Sequence, residues 1–352
     1  MKMKLKGLLI IVMTALLFFL AACSDSDEKA TKEKESENTE EKSEDKAEEK
    51  DEPEDEVVEE EEESEEVSFE VNDSTAPEDQ GDLNVWFEGD FQIVDHKITV
   101  KGKTNLLPES RLYVKADSEE GVIIGGNGSG VVDDNGDFEL EAGIPDEFKG
   151  GLLHINLSFE TGNQTDEIMN HYSDGITGSF ARIYYYSYKD QVLSKAAFSK
   201  TILFDAGEQS FAIEEPEWNI PDDLGNADVW IKPTIEKFED YVVVHIESNL
   251  VEESFVRAIT TIPNYLTTGF NGTTYANPDG SMTIYIKDPE KDDRIKDLQN
   301  YEIKLEMDPS DANNGKQVTE AYGDTGEKLL GDLVVEQGEG KAINQKITIT
   351  VD

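Results

Sequence analysis

Lys103-Thr104-Asn105-Leu106-Leu107-Pro108-Glu109-Ser110 returns 144 positions later as Glu247-Ser248-Asn249-Leu250-Val251-Glu252-Glu253-Ser254. Extended outward from this phrase without a gap, Asn84 to Pro145 lies over Asp228 to Pro289, and 12 of the 62 pairs are identical. Chance gives about four at ordinary composition. The identities include Val85/Val229, Trp86/Trp230, Asn127/Asn271, Gly128/Gly272 and Gly136/Gly280. Asn-Gly and Asp-Gly pairs adopt positive φ readily and form turns. A four-residue insertion then brings Ile155 and Leu157 onto Ile303 and Leu305, and two further residues bring Tyr172-Ser173-Asp174 onto Tyr322-Gly323-Asp324. The folded part of the chain is a tandem repeat.

Within each copy the hydrophobic period is two. His154-Ile155-Asn156-Leu157-Ser158-Phe159, Tyr301-Glu302-Ile303-Lys304-Leu305-Glu306-Met307 and Lys346-Ile347-Thr348-Ile349-Thr350-Val351 alternate apolar and polar residues, as half-buried strands do. Strands are expected near 84–88, 96–103, 111–116, 136–141, 152–159, 181–188 and 200–204. About seven strands per copy, separated by Gly, Asn, Pro and Asp turns, suit an antiparallel sandwich. Short helical turns are expected at Asp166 to Tyr172 and at Lys316 to Tyr322. The fold class is mainly β: two tandem antiparallel β-sandwich domains, at 82–205 and 228–352. Residues 206–227, with Trp218 between Pro216 and Pro221, form the joint.

The phrase from Lys103 to Ser110, with its strands and loop-rich turns, resembles the immunoglobulin-like or transthyretin-like modules of Bacillus-type surface lipoproteins. The likeness covers both repeats, although Glu252 stands in the second where the first has Pro108. It implies an architecture and no activity, because one sandwich hosts many functions.

Upstream of the repeats the physics changes. Lys2, Lys4 and Lys6 precede an apolar run from Leu8 to Leu20 broken by Thr14, the basic and apolar regions of an export signal at 1–22. The run is shorter than the roughly 20 residues that span a bilayer. It ends in Leu20-Ala21-Ala22-Cys23, which resembles the lipobox of bacterial lipoproteins. That resemblance implies a diacylglyceryl group on the Cys23 sulfur, cleavage before Cys23, and acyl chains such as palmitate holding the protein to the outer face of a Gram-positive-type cell membrane. A thiolate is the side-chain nucleophile suited to such alkylation. Cys23 is the only cysteine, so the chain has no internal disulfide or Cys-rich metal site.

From Ser24 to Glu66 there are 24 acidic and 6 basic residues. So little apolar surface cannot offset ordering entropy, and residues 23–81 are expected to be the lipidated cysteine followed by a disordered acidic linker. Such a chain averages roughly 40 Å end to end and reaches about 190 Å when stretched. It reads as a tether, or as a plain solvated spacer.

The whole chain, 352 residues, carries 79 acids against 31 bases, a formal charge of −48. Counterion release on nucleic acid requires clustered Lys and Arg, so a nucleic-acid partner is excluded. Acidity of this degree also suits life at high salt or high pH.

Candidate sites are few. Asp133-Asp134-Asn135-Gly136-Asp137 has calcium-loop composition, but its counterpart Asn277-Pro278-Asp279-Gly280-Ser281 keeps only the turn, so a hairpin turn is expected. The Gly125 to Gly130 run lacks the Lys of a phosphate loop and reads as a mobile turn. His171, Ser173 and Asp174 stand together, yet Ala321 replaces His171 in the second copy. His96, His154 and His245 read as solvated or edge histidines. No catalytic residue, cofactor or metal site is expected.

Tyr184, Tyr186 and Tyr188 share one face if Ile183 to Tyr188 is a strand, and the second copy near Leu330 to Gln337 has no aromatic. Phenol rings suit sugar or peptide contacts; the same face would equally pack on the neighbouring domain or brace its own sheet. The expected function is a non-catalytic binding module on the cell surface, meeting a protein or wall polymer. The alternatives are a structural envelope spacer and, third, a hydrolase.

Overall fold

The structure, a computed structural model, describes residues 75–351 except 206 and 267. The export signal, Cys23 and most of the acidic linker lie outside the described residues.

The first repeat contains β1 (Phe87–Val94), β2 (Lys97–Thr104), β3 (Arg111–Ser118), β4 (Asn127–Val131), β5 (Asp137–Gly143), β6 (Gly151–Glu160), α1 (Asp166–His171), β7 (Ala181–Tyr186), β8 (Gln191–Phe204) and β9 (Gln209–Ala212). The second contains β10 (Ile231–Phe238), β11 (Tyr241–Ser248), β12 (Phe255–Thr261), β13 (Asn271–Tyr275), β14 (Met282–Lys287), β15 (Asn300–Met307), α2 (Lys316–Tyr322), β16 (Val334–Gln337) and β17 (Gly340–Thr350). Each repeat is a pair of sheets. The first has the orders β5-β2-β1-β9 and β4-β3-β6-β8-β7; the second has β10-β11-β14 and β13-β12-β15-β17-β16. Every strand pairing within the sheets is antiparallel.

The alternation seen in the sequence is the alternation of burial. In β6, Ile155, Leu157 and Phe159 are buried while His154 and Asn156 are not. Each repeat closes its own core between its two sheets. Phe91 of β1 stacks on Phe198 of β8 across the first core, with ring centroids 5.8 Å apart.

The repeated phrase is a buried polar corner used twice. Asn105 accepts the Trp86 N–H at 3.1 Å and donates to the Asn84 carbonyl at 2.9 Å. Asn249 does the same with Trp230 at 3.0 Å and Asp228 at 3.0 Å. Tyr172 takes the Leu107 N–H and Tyr322 takes that of Val251. Glu109 and Glu253 hold φ of 64° and 63° at equivalent positions. Such a backbone costs about 1–3 kcal/mol in a non-glycine residue and persists only where its surroundings fix it.

Four expectations change. The run at Gly125 to Gly130 is not a free turn, because Gly128 and Gly130 belong to β4. A Cβ at Gly128 would sit 1.8 Å from the Glu141 carbonyl oxygen, and one at Gly130 would sit 2.6 Å from that of Glu139. Glycine is there for close packing of β4 on β5. The strand expected at 200–204 is the end of the fourteen-residue β8. Residues 75–81, assigned to the linker, lie on the first sandwich: Asp79 accepts the Trp86 indole N–H at 2.8 Å and the Gly81 N–H reaches the Asn105 carbonyl at 2.6 Å. The joint at 206–227 contains β9, which pairs with β1 from Asp90 to Ile93.

Candidate functional site

The tyrosines form a ladder. Ring centroids of Tyr184 and Tyr186 are 6.3 Å apart and those of Tyr186 and Tyr188 are 6.4 Å apart. β7 ends at Tyr186, so Tyr188 is carried by the turn into β8 rather than by the strand. Lys195 and Lys189 place their ammonium groups 5.8 Å from the Tyr184 and Tyr186 rings respectively, within cation–π range. The ladder rises from cover to solvent. Tyr184 accepts the Gly162 N–H at 3.0 Å, and burial pushes its hydroxyl pKa up; Tyr188 is 87% exposed. Tyr185, on the opposite face, meets the second repeat: a Cβ at Gly315 would lie 2.7 Å from its own Cβ. Strand β16, the counterpart of β7, carries no aromatic.

The two repeats meet at the edge of β7. Glu252, where the first copy has Pro108, accepts the Ile183 N–H at 2.9 Å. Burial raises its carboxyl pKa to about 7, against the opposing pull of that hydrogen bond and of Arg182. Beside it Lys195 pairs with Glu253 at 3.1 Å. At the other end of the joint Glu120 accepts hydrogen bonds from Tyr241 and from Lys287, the latter at 2.6 Å. Burial works against ionisation there, but the two donors win and hold the Glu120 pKa below its usual value. Tyr241 in turn accepts the Leu152 N–H at 3.3 Å.

Between these contacts lies a cleft of about 800 Å³. Its floor is the solvent face of the first repeat's five-stranded sheet, including His154 and Asn156; Tyr285 and Thr273 of the second repeat form one wall, and Trp218 of the joint forms the other. Trp218 donates to the Ser179 carbonyl at 2.8 Å and is capped by the Arg182 guanidinium 4.0 Å from its ring. This cleft was not visible in the sequence, since its residues come from scattered stretches of both repeats and the joint. Trp218, alone between two prolines, was its one signal.

The other candidates resolve into local structure. The Asp133 carboxylate caps its own turn, accepting the N–H groups of Asn135 at 2.8 Å and Asp137 at 2.9 Å. His171 donates to the Gly81 carbonyl at 2.6 Å while Ser173 donates to that of Asn170 at 2.8 Å, so the two are engaged separately. His154 bonds Thr201 at 2.8 Å, His96 the Pro145 carbonyl at 3.1 Å, and His245 Glu236 at 3.1 Å. Among the described residues no group of three or more His, Cys, Asp or Glu is arranged to hold a metal ion, and no helix is long and apolar enough to cross a membrane.

No family model and no curated protein matches the chain. Among solved structures it is similar to the D0-D1 domain of Intimin, at 9% identity, covering 61% of this chain and 90% of that one, with a TM-score of 0.16. At that score the likeness carries no argument, and the β-sandwich assignment rests on the sheets themselves.

Proposed function

We propose that this chain is a non-catalytic binding module held by lipid on Cys23 at the outer face of a bacterial cell membrane, and that it meets a protein or wall-polymer ligand through Tyr186 and Tyr188, with Tyr184 as their base. The observation that carries this reading is the ring ladder, aligned across the end of a strand and rising into solvent beside two lysines. Aromatic rings ordered in advance lose little entropy on binding and offer both an apolar face and a hydroxyl. The second repeat lacks the ladder, so the feature is not required by the sandwich.

The test has two arms. Crosslinking pull-down from intact cells should recover a partner with the natural chain and lose it with Tyr186→Ala plus Tyr188→Ala; unchanged recovery would leave the spacer reading in its place. Metabolic labelling with a fatty acid should mark the chain, and Cys23→Ala should abolish the label.

A further inference from the structure

The floor of the inter-repeat cleft is braced from within. In the pairing of β6 with β8, His154 lies opposite Thr201 and Asn156 lies opposite Ser199. Each pair is tied across the strands, His154 Nδ1 to Thr201 Oγ1 at 2.8 Å and the Asn156 amide to Ser199 Oγ, also at 2.8 Å. Four polar side chains therefore stand at fixed places on one sheet face. A site already ordered loses less entropy on binding.

The walls above this floor are aromatic. Tyr285 of β14 holds its ring centroid 5.6 Å from that of His154. On the other wall the Ser179 carbonyl pins the Trp218 indole N–H at 2.8 Å, and the Arg182 guanidinium covers the ring from 4.0 Å. The cleft, about 800 Å³, has the size of a small-ligand site, which runs from roughly 300 to 1,000 Å³.

The floor and its charges decide which ligand fits. β6 and β8 are interior strands in the order β4-β3-β6-β8-β7, so their backbone groups are taken by ladder bonds on both sides. An extended peptide docks on the free backbone groups of a strand edge, which interior strands do not offer. A polyanion is disfavoured, because Asp117, Glu119, Glu214 and Glu215 line the cleft against Arg182 and Lys200. Both of those cations are already engaged. Lys200 pairs with Glu214 at 3.0 Å, and Arg182 donates to the Ser179 and Ala181 carbonyls at 3.3 Å and 3.0 Å while it caps Trp218. Recognition is left to hydroxyls, an amide and an imidazole beneath two rings. Hydroxyl and amide groups both donate and accept hydrogen bonds, as sugar hydroxyls do. An aromatic ring adds a flat apolar face against which the C–H side of a pyranose packs.

We propose that this cleft binds a neutral oligosaccharide, with pyranose rings against Trp218 and Tyr285 and sugar hydroxyls on Asn156, Ser199 and Thr201. The site is separate from Tyr186 and Tyr188, which do not line it.

The experiment titrates the full-length chain, held in a detergent without a sugar headgroup, by calorimetry. The probes are cellohexaose and chitohexaose as neutral sugars, an oligogalacturonate as the acidic sugar and hexalysine as the cationic peptide. At least one neutral sugar should bind, and more tightly than either charged probe. Tyr285→Ala should weaken that binding about tenfold. Thr273→Trp should abolish it by filling the cleft from an exposed position on β13. If Tyr285→Ala fails to fold, Thr273→Trp decides alone. Binding of neither neutral sugar would overturn the proposal, as would tighter binding of either charged probe or a sugar affinity that Thr273→Trp leaves unmoved.

Discussion

The Glu252 carboxylate of the second sandwich accepts the Ile183 backbone N–H of the first at 2.9 Å, with Arg182, Lys195 and Glu253 around it. Pro108 holds the same position in the first copy, so this bond belongs to the joint and not to the repeat. Its proton balance makes the joint sensitive to pH. The folded pKa, about 7, is raised from 4.5. The contribution is therefore whole below about pH 4.5 and declines as pH rises through 7. Glu252→Gln should match the natural chain at pH 4.5 and exceed its stability at pH 8 by about 1–2 kcal/mol, read by thermal unfolding at the two pH values.

Phe211 covers Phe91 from a strand that lies between the two sandwiches in sequence. Phe211→Ala should destabilise the first sandwich by about 1–3 kcal/mol and leave the second unmoved. Calorimetry should show one transition lowered and the other in place. A uniform shift of both would mean that β9 serves the whole assembly.

Asn105 and Asn249 are fully buried and satisfy the same backbone groups in their respective copies. Truncating either leaves buried N–H and C=O groups without partners, at a cost of about 2–4 kcal/mol. Asn105→Ala and Asn249→Ala should cost similar amounts, each confined to its own repeat, as chemical denaturation with a tryptophan signal from Trp86 or Trp230 would report.

Gly128 gives a sharper case. Its Cβ would meet the Glu141 carbonyl oxygen at 1.8 Å, inside the main chain of a neighbouring strand. Gly128→Ala should separate β4 from β5 and lower the first sandwich's stability by more than about 2 kcal/mol. Gly125→Ala, at a glycine with open space around it but φ of 85°, should cost only the backbone term of about 1 kcal/mol.

Much of the fold was legible because a duplicated chain reports its own geometry. Alternation placed β6, β15 and β17, and paired identities marked the polar corner before its hydrogen bonds were known. What escaped was whatever depends on a neighbour. Gly128 looks like a turn residue until Glu141 is seen against it, and β9 looks like linker because its partner β1 lies more than a hundred residues upstream. The tyrosine ladder was readable from period two up to Tyr186; the turn that keeps Tyr188 in line was not. The inter-repeat cleft combines a sheet face, a corner and a joint, and no single stretch of sequence describes it.

The pairing of β9 with β1 also governs how tension would pass through the molecule. The chain arrives from Thr75 at the start of β1 and departs after β9 beside Gly89, where Ile213 makes its bond. Arrival and departure therefore lie at one end of the same strand pair. A pull between the two would peel β9 from β1 a rung at a time, while most of the first sandwich stayed outside the path of the force. Once the joint contacts at Glu252, Glu120 and Trp218 had parted, the molecule would yield there as a short extension, a mechanical fuse ahead of the two cores.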